Sequence, residues 1–117
     1  MPRLLELINV PDDVKRLDLP ELEQLSTEVR DFIVQTVSRT GGHLAANLGV
    51  VELRVALLKV FSPPSDRIVW DTSHQTYAYK TLTGRREQMS TLRQYGGLSG
   101  FQRPEESEYD AFGTGHA

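Results

Sequence analysis

The sequence has no cysteine. That absence excludes a disulfide scaffold, a thiolate metal site and a cysteine nucleophile. It also suits the cytosol, which is the expected location. No stretch approaches the roughly 20 apolar residues of a membrane span. The first apolar run, Leu4-Leu5-Glu6-Leu7-Ile8, has an acid inside it and no small-residue cleavage site, so it does not read as a signal peptide. An excess of positive charge is missing too: 13 basic residues face 16 acidic ones, for a net charge of −3. That balance argues against nucleic acid as the main partner, which calls for a basic face. It leaves a local phosphate site open, since such a site needs only a few donors. There is no internal repeat and no low-complexity tract. What remains is 117 residues, 38% hydrophobic with a mean hydropathy of −0.38, and no composition shift divides them. This describes one domain, able to bury about two-thirds of its unfolded surface.

Helical signals dominate the first half. Residues 4–8 read as one helical turn or as an arm against a neighbour. Residues 11–17 read as a short helix. Pro11 suits its first turn, Asp12 and Asp13 its positive end, and Lys15 and Arg16 its negative end. Asp18 can then cap a longer helix, and Glu21 completes a capping box, with Pro20 in the first turn where its missing N–H costs little. Leu22, Leu25, Val29, Phe32, Ile33, Thr36 and Val37 recur at three- and four-residue steps. This spacing predicts an amphipathic helix of about five turns with a solvated back. Gly41-Gly42 ends it.

Gly49 opens another helix, running to Phe61 and interrupted only by Glu52, Arg54 and Lys59. A helix apolar around most of its circumference is expected to be buried on more than one side. A small domain has little room for that. Part of its surface is therefore expected to meet another subunit or more of a longer chain. Ser62-Pro63-Pro64-Ser65 terminates it.

Residues 67–70, Arg-Ile-Val-Trp, are the one short run that reads as a buried strand. The strand stops at Asp71, and His74 follows shortly after. Open α/β sheets bind ligands just past the carboxyl ends of their strands, so His74 stands where a working group is placed. It could equally cap the next helix. His43 sits beyond another helix end, and a satisfied core histidine is the simpler reading for it taken alone. Residues 75–82 read as a helix stopped by Thr83-Gly84, and residues 86–90 as a short polar one. Arg85-Arg86 can hold a phosphate, but a solvated or dipole-balancing pair is the simpler reading. Gly96-Gly97-Leu98-Ser99-Gly100-Phe101 neither follows a strand nor opens an apolar helix, so it lacks the setting of a dinucleotide or P-loop fingerprint. Glu105, Glu106, Glu108 and Asp110 read by default as a solvated loop. Gly113-Thr114-Gly115-His116 reads as punctuation within a continuing chain.

The order of these motifs carries a resemblance. Gly41-Gly42-His43-Leu44-Ala45, Asn47-Leu48-Gly49-Val50-Val51-Glu52-Leu53 and Trp70-Asp71-Thr72-x-His74-Gln75-x-Tyr77 are followed by Lys80-x-Leu82-Thr83-Gly84-Arg85-Arg86. Then come Leu92-Arg93-x-x-Gly96-Gly97-Leu98-Ser99-Gly100-Phe101 and Glu106-Ser107-Glu108-Tyr109-Asp110-x-Phe112-Gly113-Thr114-Gly115-His116. In series they resemble the 1-deoxy-D-xylulose-5-phosphate synthase family of thiamine-diphosphate enzymes, within the transketolase superfamily. The resemblance spans essentially the whole chain and matches the N-terminal part of the family's first domain.

The resemblance implies an α/β fold, of which residues 1–117 are the mostly helical N-terminal portion of a thiamine-diphosphate-binding, transketolase-like parallel-sheet domain. It implies a transferase that decarboxylates pyruvate and joins the remaining carbons to glyceraldehyde 3-phosphate, supplying isoprenoid and thiamine precursors. Thiamine diphosphate and Mg2+ are the implied cofactors and a homodimer the implied assembly, with no nucleic-acid or membrane partner. His43 and His74 take the catalytic positions. His74, Gly115, His116 and Ala117 take cofactor-binding ones. The family's metal motif and its activating glutamate have no match here, so no metal ligand is assigned within the chain. Taken alone, the 117 residues are expected to be inactive. The alternative is a non-catalytic module that packs on a homologous partner through the helix opened by Gly49. Ser73, Thr76 and Tyr79 depart from the family's usual glycine, small residue and histidine. Ser73 in particular adds a Cβ and gives up easy access to positive φ.

Overall fold

A computed structural model describes residues 4–42, 44–66, 76–101 and 103–110. The expected strand at residues 67–70 lies outside them. Among the described residues the structure is helical and turn-rich, with no strand. None of its helices is long and apolar enough to cross a membrane.

The spine is α1, Leu19–Thr40, 22 residues long. It starts where the capping signal predicts. Asp18 Oδ1 accepts from the Glu21 N–H at 2.9 Å, and Glu21 Oε1 accepts from the Asp18 N–H at 2.9 Å. The predicted stripe is the buried face: Leu25, Val29 and Ile33 are fully buried, with Leu22, Phe32 and Val37 packed at its edges. The helix ends at Gly41, whose φ of 74° suits glycine and whose N–H closes on the Val37 carbonyl.

Residues 4–8 form a helical turn, Leu4–Leu7, that lies on α1 and buries Leu5 and Ile8. The turn Pro11–Arg16 packs on α3, Val51–Val60, which also packs on α1. Between Gly41 and α3 comes the single turn α2, Ala45–Leu48. The three polar interruptions of α3 are all used. Glu52 pairs with Arg30 of α1. Lys59 Nζ donates to the Lys15 and Leu17 carbonyls, and Lys15 Nζ answers by donating to the Leu58 and Phe61 carbonyls. Arg54 is buried, and burial pulls its pKa down to about 10, which still leaves it cationic at neutral pH. The apolar circumference of α3 is buried on one face, through Val51, Val55 and Leu58. Leu53, Val60 and Phe61 stay exposed.

The second half winds through α4, Tyr77–Lys80, a widened turn Thr81–Arg85, and a 3-10 helix Arg86–Thr91. The predicted stop at Thr83-Gly84 appears as a kink, with non-helical backbone at both residues. The segment 76–98 contributes Tyr77, Tyr79, Leu82, Met89, Leu92 and Leu98 to the same core that α1 and α3 line.

Candidate functional site

His43, His74, Gly115, His116 and Ala117 lie outside the described residues, as does Ser73. Their flanks are described, and two of those flanks meet. Tyr77 begins α4 shortly after His74 in sequence, and its backbone N–H donates to Asn47 Oδ1 at 3.0 Å. Asn47 belongs to α2, shortly after His43, and both Asn47 and Tyr77 are fully buried. The Tyr77 ring runs on to Gly42, which immediately precedes His43. A Cβ at Gly42 would stand 2.6 Å from the Tyr77 hydroxyl oxygen. Gly42 also holds φ at +139°, a region that side-chain-bearing residues rarely adopt. Glycine is therefore required there twice over, for the turn and for the close approach of Tyr77.

A second cluster lies in the core beyond Tyr77. Arg85 makes a two-pronged pair with Asp110, Nη1 to Oδ2 and Nη2 to Oδ1, each at 2.7 Å. Its Nη1 also reaches Glu106 Oε1 at 3.1 Å, and its Nη2 reaches Thr83 Oγ1 at 2.8 Å. Lys80 Nζ donates to the same Glu106 oxygen at 2.9 Å and to the Ser99 carbonyl at 2.6 Å. The other Glu106 oxygen accepts from the Ser99 N–H at 2.6 Å, and Asp110 accepts from the Arg103 N–H at 2.8 Å. Tyr79 donates its hydroxyl to the Tyr109 carbonyl at 2.6 Å. Burial pulls the Lys80 ammonium below the usual lysine value, while its bond to Glu106 pushes back. Burial also raises the Tyr79 phenol, and the Asp110 charge adds to that.

These contacts correct two expectations. The pair Arg85-Arg86 is neither a phosphate holder nor a solvated pair. Arg85 is buried against carboxylates, and Arg86 donates to the Leu5 and Ile8 carbonyls, tying the N-terminal turn down. The acidic stretch is likewise not a solvated loop throughout, because Glu106 and Asp110 are the counter-ions of Lys80 and Arg85. One local signal pointed that way: Lys80 is a lone cation in a run otherwise apolar or neutral, Gln75 to Gly84, and a buried cation needs a partner. Asn47 gave no such signal. Thr76 and Tyr79 are both buried in this core.

Among the described residues, no group of three histidine or acidic side chains could hold a metal ion. A cleft of about 290 Å³ opens elsewhere, between the Leu4–Leu7 turn, α1 and the 86–91 helix, lined by Phe32, Arg39 and Arg86 among others. Tyr77 and Asn47 do not line it.

A family model described as 1-deoxy-D-xylulose-5-phosphate synthase matches residues 5–117. The 1-deoxy-D-xylulose-5-phosphate synthases of Syntrophomonas wolfei and Natranaerobius thermophilus are 62% and 61% identical over the whole chain. That of Leptothrix cholodnii is 64% identical over 97% of the chain. The chain spans 18% of the length of each of these relatives.

Proposed function

The chain belongs to the 1-deoxy-D-xylulose-5-phosphate synthase family, and from that membership we propose that it is the N-terminal part of an enzyme converting pyruvate and glyceraldehyde 3-phosphate to 1-deoxy-D-xylulose 5-phosphate and CO2. On this reading the described helices are one flank of a parallel-sheet domain that binds thiamine diphosphate. The enzyme is a cytoplasmic homodimer that feeds isoprenoid and thiamine precursor synthesis.

Thiamine diphosphate, when bound, supplies the electron sink for decarboxylation. The chain's own residues bind, orient and move protons. His43 and His74 exchange protons through their ring nitrogens, which suits imidazole because its unperturbed pKa lies near 6.5. His74, Gly115, His116 and Ala117 contact the cofactor. The Mg2+ that accompanies the diphosphate needs several oxygen ligands. Glu106 and Asp110 do not fit that task, because Lys80, Arg85 and two backbone N–H groups already hold their oxygens. On this reading the metal's ligands come from elsewhere in the enzyme.

The observation that carries the reading is the contact of Tyr77 with both Gly42 and Asn47, which supports a common site for the segments bearing the two histidines. The test is a chimera in which these 117 residues replace the matching segment of the Syntrophomonas wolfei relative. The chimera is expected to form 1-deoxy-D-xylulose 5-phosphate, and His74→Ala to cut its turnover by about 100-fold or more, the scale of a lost acid–base group. An inactive but folded chimera, or full turnover in His74→Ala, sinks the reading. The non-catalytic alternative draws support from the exposed Leu53 and Val60 on α3 and Phe61 just past its end. Self-association of the 117-residue chain, together with an inactive chimera, would favour it.

A further inference from the structure

We propose that Asn47 and Tyr77 are positioning residues that lock the segment carrying His43 against the segment carrying His74. The inference rests on the functional reading above.

The first N–H groups of a helix have no partner within it. At α4 the residue in the capping position, Thr76, makes no side-chain cap bond. The Asn47 side chain caps Tyr77 instead, from another element, 30 residues earlier in the chain. Both residues are fully buried, so water cannot replace that acceptor. The same tyrosine presses its hydroxyl on Gly42, close enough that even a methyl group there would collide. Tyr77 therefore touches the chain on both sides of His43: Gly42 just before it and Asn47 shortly after. Tyr77 itself follows His74 closely in sequence. A shift of this one residue moves the anchors of both histidine segments together. Catalysis depends steeply on such placement, and a misplacement of about 1 Å can cost on the order of 100-fold in rate.

The test uses the chimera described above. Asn47→Leu keeps the volume and removes the acceptor, whereas Asn47→Asp keeps an acceptor oxygen. In Asn47→Leu, kcat per folded enzyme is expected to fall roughly 30- to 100-fold, with the KM for pyruvate changing less than about threefold, and Asn47→Asp is expected to regain at least about a tenth of full turnover. A second pair probes the other contact. Gly42→Ala is expected to lower kcat, and adding Tyr77→Phe, which removes the hydroxyl at 2.6 Å and leaves only the ring carbons at 3.2 and 3.3 Å, to restore part of it. The glycine's backbone strain is the same in both, so recovery reports the contact alone. Folded fraction is measured by circular dichroism in every variant. If Asn47→Leu does not fold, the Gly42 pair decides. The proposal is overturned if kcat per folded enzyme stays within about threefold in Asn47→Leu, if Asn47→Asp does no better than Asn47→Leu, or if Tyr77→Phe restores nothing. An unsubstituted chimera that folds without activity overturns the functional reading instead, and this inference with it.

Discussion

In residues 4–66 the lysines that reach inward end on carbonyl oxygens at helix ends; in residues 76–110 the two buried cations, Lys80 and Arg85, end on carboxylates inside the core. Lys15 and Lys59 cross between the turn Pro11–Arg16 and the end of α3, each filling backbone acceptors that the last turn of a helix leaves open. The surrounding helices are regular and bury aliphatic stripes, so these bonds add to packing that already exists. Beyond Thr76 the backbone is short turns, a widened turn and a kink. No helix spans residues 92–101 or 103–110, and Glu106 and Asp110 tie that turn-rich stretch to Lys80 and Arg85 of the helical turns before it. Where backbone order is high, charge trims the ends; where it is low, charge holds the middle. A buried ion pair adds little net stability over an apolar filling, but breaking one half of it leaves an unpaired charge in the core.

The largest expected effect follows from that last point. Asp110→Ala strips Arg85 of its two-pronged partner and frees the Arg103 N–H. Loss of about 3–5 kcal/mol is expected, read as a shifted midpoint in urea unfolding. Pairing Asp110→Leu with Arg85→Met should recover much of that loss, since both charges go together. If Asp110→Ala costs less than about 1 kcal/mol, the cluster does not hold the second half together and the contrast between the regions collapses.

The two halves also differ in how far they could be read from sequence. The α1 start was legible because its signals are local: Asp18, Pro20 and Glu21 fall within one turn, and the burial stripe repeats at helical spacing. The stop at Thr83-Gly84 was legible for the same reason. Arg85 and Asp110 are 25 residues apart, and nothing local in the acidic stretch separates a buried Asp110 from an exposed Glu105. Lys80 and Arg85, far back in the sequence, select which carboxylates turn inward. Asn47 was missed on the same ground, since an asparagine in a small-residue loop carries no mark of the helix start it will cap. The expectation for His43 and His74 rests on the order of motifs, and both lie outside the described residues.

A smaller effect is expected from the lysines of the first half. Lys59→Met keeps most of the apolar stem and removes the donor to the Lys15 and Leu17 carbonyls. A cost of about 1–2 kcal/mol is expected by urea unfolding, within the range for hydrogen bonds to a charged group. Both carbonyls lie near the surface, where water can take over part of the bonding. A loss equal to that of Asp110→Ala would mean that the lysine crossing is as central as the buried pairs, and the distinction between trimming and holding would fail.

The smallest effect is the acid limb of stability, and it sharpens the comparison from the other side. Asp13 accepts from the Asn9 and Val10 N–H groups at 2.9 and 3.1 Å, and these bonds, Asn9 first, hold its carboxyl below its ordinary value of 3.8. Glu52 is lowered from 4.5, chiefly by its bond to Arg30. A depressed carboxyl contributes stability that is full above the unfolded value and is lost as pH falls through the folded one, because the unfolded chain takes up the proton first. Both groups lie in residues 4–66, near the surface, so each contribution is small and screened by salt. The melting temperature should fall as pH drops below about 4.5, and Asp13→Asn with Glu52→Gln should make that fall shallower while lowering stability slightly at neutral pH. An unchanged slope in the double variant would move the acid sensitivity into residues 76–110. Charge would then hold the middle of that region and also set the pH at which the whole chain comes apart.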